Sequence, residues 1–274
     1  MPRGFYSRQQ IAQIAENVLG APLRGGSQQG IDAVSTTPNY QVGSRLMIGA
    51  RVFHYAKAGG SLIPDMGAKV KNPQDVSQEV LGAAATKGDT SLVLTLDNTD
   101  GPTYNGLLPA DYLKGGYVVV FPAAGNKAFV RGILSNTAVT VNPGTATFTV
   151  TLDAPIPLNL TTADKAEAMA SPYACAAPNT ATKLQDNLCT SIGVPTVPAV
   201  SGDYLWLQTW GPCWVAPHAG LGTGASNRAA YFVGDGALAD EADATPIEQI
   251  AGFVLANDKG GGQGAPFVML MIDP

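Results

Sequence analysis

The chain has 274 residues, with 16 Lys and Arg against 21 Asp and Glu and a formal net charge of −5. An acidic chain with no basic cluster lacks the phosphate-neutralising face that nucleic-acid binding needs. No apolar run reaches the roughly 18 residues that a spanning helix requires.

Charged residues are only 14% of the chain, against about 25% in an average soluble domain. There are 32 glycines and 20 prolines. A surface built from neutral side chains and turns fits an all-β protein that hides much of its surface in an assembly. Arg3, Arg8 and the pair Gln9-Gln10 lead into a polar-faced segment rather than an apolar leader, so cytoplasmic synthesis without a secretory signal is expected.

In chain order, residues 7–20 read as a short helix. Ser7 and Gln10 form a capping-box pair. Ile11, Ile14, Ala15, Val18 and Leu19 fall on one stripe. Gly20 and Pro22 end it. A helix this short needs a docking surface, on its own domain or on a neighbouring subunit. The flexible stretch Arg24–Gly30 follows, and residues 1–44 together read as an N-terminal helix and extended arm.

From about residue 45 the apolar period becomes two. Met47–Lys57 reads as one strand closed by Gly59-Gly60. Further strands are expected over 91–97, 116–121, 128–134, 138–141, 147–153, 204–210, 230–233, 250–256 and 267–272. Ala123-Ala124-Gly125-Asn126 and Asn142-Pro143-Gly144 read as hairpin turns. Residues 92–97 echo 148–153. Thr161–Asp164 opens a short helix through Ala170, and 171–200 reads as a long irregular excursion. The expected fold is all-β, a β-barrel or β-sandwich over 45–274, with no βαβ alternation.

Chemical motifs are weak. Lys87-Gly88-Asp89-Thr90 lacks the order of a phosphate-binding loop. Asp97–Gly101 has the look of a calcium loop without the distal Glu and reads as a turn. Asp235, Asp240, Glu241 and Asp243 read as a solvated acidic loop. Cys175, Cys189 and Cys213 are an odd set, expected as buried thiols, with a Cys175–Cys189 bridge as the alternative. Neither they nor His218 show the paired knuckles of structural zinc. His54 sits between apolar Val52 and Ala56 and reads as a core histidine. Asn159-Leu160-Thr161 is a sequon expected to stay unmodified. No catalytic, cofactor or metal residues are assigned.

All three tryptophans, Trp206, Trp210 and Trp214, fall within nine residues. On a strand, Tyr204, Trp206, Gln208 and Trp210 share one face. Such a ladder serves as core or subunit seam, where Trp is enriched, or as a stacking platform for a sugar or base.

The segment Trp206-Leu-Gln-Thr-Trp-Gly-Pro-Cys213, following Gly193-Val194-Pro195, resembles the capsid cement (decoration) proteins of tailed bacteriophages. So do Ile48–Gly59, Gly115–Val120, Leu152–Pro157, Ser171–Tyr173 and Ile250–Val254. The resemblance covers roughly residues 45–274.

It implies an all-β virion protein without catalysis or cofactor. Such a protein assembles in the host cytoplasm and sits on the outer capsid surface. Its expected partners are the major capsid protein and further copies of itself, as a homotrimer beside neighbouring cement subunits. Interface positions are then expected at Ile11, Ile14, Val18 and Leu19 in the arm and at Trp206, Trp210 and Trp214. A tail-fibre or adhesin module using the aromatic ladder is the alternative, and an enzyme with a hidden metal site the third.

Overall fold

The computed structural model describes residues 29–70, 75–123, 125, 127–141, 144–179, 190–218, 221, 228–240, 249–256 and 267–274. The chain divides into two compact units. The two chain ends, Met1–Lys71 and Cys175–Pro274, build one; the intervening Asn72–Ala174 builds the other.

The intervening unit holds β4 (Val76–Val80), β5 (Ser91–Asp97), β6 (Tyr117–Phe121), β7 (Phe129–Asn136), β8 (Thr145–Leu152) and β9 (Lys165–Met169). They form an antiparallel sheet in the order β4-β9-β6-β7-β8-β5. Its outer strands meet through a Leu81–Leu94 bridge, with Gly82 N donating to Val93 O. The sheet is thereby a near-closed barrel. Period-two alternation fills it: Leu92, Leu94, Leu96, Val118, Val120, Phe148, Val150 and Leu152 all point into one core. The two segments that echo each other in sequence are β5 and β8, paired with Leu94 opposite Phe148.

The terminal unit holds β1 (Arg45–Ile48), β2 (Arg51–Lys57), β3 (Ala68–Val70), β10 (Ala176–Pro178), β11 (Ser191–Pro195), β12 (Tyr204–Cys213), β13 (Ala229–Phe232), β14 (Leu238–Ala239), β15 (Gln249–Ala256) and β16 (Phe267–Met271). The sheet runs β10-β3-β11-β12-β16-β15-β13-β14, with β2 on β12 and β1 on β2, and curves into a half-barrel. Strand β12 is its spine, pairing with β2, β11 and β16. A bulge between Gln208 and Trp210 bends it. Gly211 follows at φ 92°, where a Cβ would stand 2.2 Å from Ala50 O, so only glycine lets the two strands approach here.

The all-β expectation holds, and four local readings are corrected. The single strand over 47–57 is a hairpin, β1 and β2, because Gly49 turns the chain at φ 61°. The helix expected after Thr161 is β9. Asp164 caps a turn by accepting from Thr161 N. Ala166 and Ala168 then alternate inward, so barrel burial overrides alanine's helix propensity. Residues 171–200 contain a 3₁₀ turn, β10 and β11 rather than a wholly irregular excursion. Residues 138–141 form no strand, only a bridge of Val139 to Leu108.

Residues 29–44, read as the distal arm, pack into the terminal unit. Ser35 and Tyr204 exchange backbone hydrogen bonds, and Tyr40 is buried. Ile11, Ile14, Val18 and Leu19 lie outside the described residues, as do Cys189, Glu241 and Asp243.

Candidate interaction surface

The sequence-predicted tryptophans separate. Trp206 is core, 1% exposed. Its ring lies 5.0 Å from those of Tyr40 and Tyr55, edge-to-face with Tyr55 and tilted to Tyr40. Its Nε1 donates to Gln29 O at 3.1 Å. Gln29 is itself locked: Nε2 donates to the carbonyls of Ala33 and Tyr204, and Oε1 accepts from Tyr55 OH and Asn39 Nδ2. Every polar group of the side chain is matched, so its burial carries no desolvation loss. Gln208 is buried too, its Nε2 donating to the carbonyls of Trp210 and Pro212. The expected ladder is therefore interior, and the bulge breaks its alternation before Trp210.

His54 and Cys213, the titratable groups closest to chemistry, are closed off. His54 Nδ1 is 3.1 Å from Thr209 Oγ1, and Nε2 is 3.7 Å from Asp273 Oδ2. Thr209 is fully buried and donates its hydroxyl to Asp273 O at 2.6 Å. This Thr–His–Asp row ties the chain's end to β2 and β12, with His54 buried and Asp273 half exposed. Burial holds His54 below the ordinary imidazole pKa; Asp273 opposes the shift and Arg45 adds to it. Burial, with help from Asp65, pushes the Cys213 thiol up to about 12.

Asp97 and Asp100 spend their oxygens on the turn: Asp100 accepts from Ser77 and from Asp97 N, and Asp97 accepts from Thr99. Among the described residues no group of three His, Cys, Asp or Glu is placed to hold a metal. Nor is any helix among them long and apolar enough to cross a membrane.

One outward face of the terminal unit is apolar. Beyond the bulge, Trp210 and Pro212 on β12 oppose Met271 and Met269 on β16. Met269 in turn opposes Phe253 on β15. Ile250 and Phe253 oppose Tyr231 and Ala229 on β13. Trp214 continues the row just past β12. The alternate residues Cys213, Val268, Leu270, Ala251, Val254, Ala230 and Phe232 form the underlying core, so the first set faces outward. Trp214 is 40%, Phe253 41% and Phe267 54% exposed. Ile250, Leu255 and Met271 are exposed as well, and Trp210 is half-buried.

Among the described residues, no outward position of these four strands carries a charged side chain. At roughly 100 Å² apiece, the face's six exposed side chains present about 600 Å², the upper end of what a monomer leaves uncovered.

Of the residues on this face, the sequence singles out Trp210 and Trp214 and gives no such mark to Phe253, Phe267, Met269 and Met271. Their signal was present: the outward positions of 250–255 and 267–271 are apolar where a solvent-facing strand places polar residues. Comparison with protein-family models, with curated proteins and with solved structures finds no match.

Proposed function

We propose that this chain is a structural virion protein, a cement or decoration subunit on the outer surface of a tailed-phage head. In this reading it is homotrimeric and braces adjacent major capsid subunits by buried contact area. The observation that carries it is the uncharged, aromatic-rich outer face of β12, β16, β15 and β13.

Three further features support the reading. The polar side chains at the β12 root are matched within the fold. The His54 and Cys213 side chains are buried. The surface is poor in charge, which suits broad packing repeated over many copies. The rival sugar-binding reading would have to rest on Trp210 and Trp214, since Trp206 and Gln208 of the ladder are interior.

The test is addition of the purified chain to tailed-phage heads that lack it. Sedimentation with a fixed number of copies per head is expected. A chain that stays in the supernatant overturns the reading.

A further inference from the structure

We propose that the barrel of Asn72–Ala174 is an inserted module that opens and closes as its own cooperative unit, while the terminal unit keeps its fold and its apolar face. The inference goes beyond the reading above and does not depend on the capsid.

The point of insertion is a hairpin. Strands β3 and β10 are antiparallel partners, with Val70 opposite Ala176 and Ala68 opposite Pro178. Such a pair is ordinarily joined by a turn of about two to five residues. Here the whole of Asn72–Ala174 stands in the chain where that turn would be. The terminal unit closes the break with its own hydrogen bonds. Val70 N donates to Thr190 O at 3.0 Å, and Ala176 O accepts from Gly59 N at 2.6 Å. Strand β11 pairs along the other side of β3, so the hairpin is held in its sheet by terminal-unit strands alone.

The barrel closes its own side in the same way. Its first and last strands, β4 and β9, pair with Val76 opposite Ala168. Asp75, 2% exposed, ties the two ends together. Its backbone N donates to Ala168 O at 3.1 Å, and its Oδ2 accepts from Ala170 N at 2.7 Å. Its carbonyl accepts from Gly101 N at 2.7 Å. A module whose two ends meet can be inserted into a hairpin without straining either part.

The cores are drawn separately as well. The barrel core uses Val76 to Ala170, and the half-buried apolar side chains packed on it, Tyr112, Phe129 and Leu158 among them, come from the same unit. The core beneath the outer face uses residues from Val194 to Leu270, and the aromatic core around Trp206 uses Tyr40, Phe53 and Tyr55. Among the described residues no strand is shared between the two sheets. Cooperative opening follows shared packing and shared ladders, and each unit has its own. At about 100 residues the barrel also has the ordinary size of a domain that folds alone. All four strands of the apolar face belong to the terminal unit, so the face outlasts the barrel's opening.

The experiment is native-state hydrogen exchange on the full chain, read peptide by peptide by mass spectrometry. Leu94, 1% exposed in the barrel core, is replaced in Leu94→Ala. The slowest amides of β4 to β9 are expected to exchange about 30-fold faster or more, with those of β12, β15 and β16 within about twofold of the wild type. Trp206→Ala is expected to do the reverse. Ile133→Val leaves a smaller cavity and serves where Leu94→Ala fails to fold, with a rise of about threefold expected across the barrel alone.

Exchange that rises together in both units after either substitution overturns the proposal. So does a rise confined to β5 and its partner β8, because the barrel would then not open as one. Sedimentation with heads tests the capsid reading separately.

Discussion

Trp206 is the residue on which the terminal unit closes. Its ring fills the space between Tyr40 and Tyr55, and its indole N–H satisfies Gln29. Trp206→Ala should cost about 3–5 kcal/mol, and Trp206→Phe about 1–3 kcal/mol through the unpartnered carbonyl. Trp210 is only half-buried, so Trp210→Ala should cost less, about 1–2 kcal/mol. Urea midpoints of the three variants check the ranking.

His54 gives a signed pH dependence. Its folded pKa lies below the ordinary value, so the unfolded chain takes the proton first. Stability is whole above about pH 6.5 and is lost as pH falls through that value toward the lower folded pKa. His54→Gln should flatten the fall in melting temperature over that window; an unchanged slope would assign it to other groups. Cys213, with its thiol raised to about 12, should resist alkylation at about pH 8 until the chain is unfolded, read on the Cys213 peptide by mass spectrometry.

At the scale of elements, strands with apolar alternation were legible. Residues 91–97, 147–153 and 204–210 announced themselves through Leu, Val, Phe and Trp at period two. What was not legible depended on distant partners. The alanines of β9 carry no strand preference of their own, and they become a strand because β4 and β6 flank them. Strands β3, β10 and β11 are short and find one another across more than 100 residues, a pairing that no local window contains.

Gly252 is a further case, unremarkable in sequence. At φ 151° its Cβ position falls 1.8 Å from Met269 O, and it sets the pairing of β15 with β16 beneath the exposed face. Gly252→Ala should cost about 2 kcal/mol or more in the same urea assay; a neutral result would show that the backbone shifts freely there.

At the scale of the whole molecule, composition carried the main lesson. The 14% charge raises the expectation of a surface covered by assembly; the fold adds an exposed apolar face, and the assembly itself remains the proposal. The sequence marked that face only through Trp210 and Trp214. Its other members come from strands 40 to 60 residues further on, so their shared side appears only with the register. The division into two units was also hidden, since the terminal unit is assembled from both chain ends.

The central claim is that the chain works by bracing. Its most direct measurement is heat-triggered DNA release from filled heads, with and without the bound chain. The account predicts release at a higher temperature when the wild type is bound, and a smaller rise with Phe267→Asp. Heads that bind the chain yet release DNA at an unchanged temperature would contradict it.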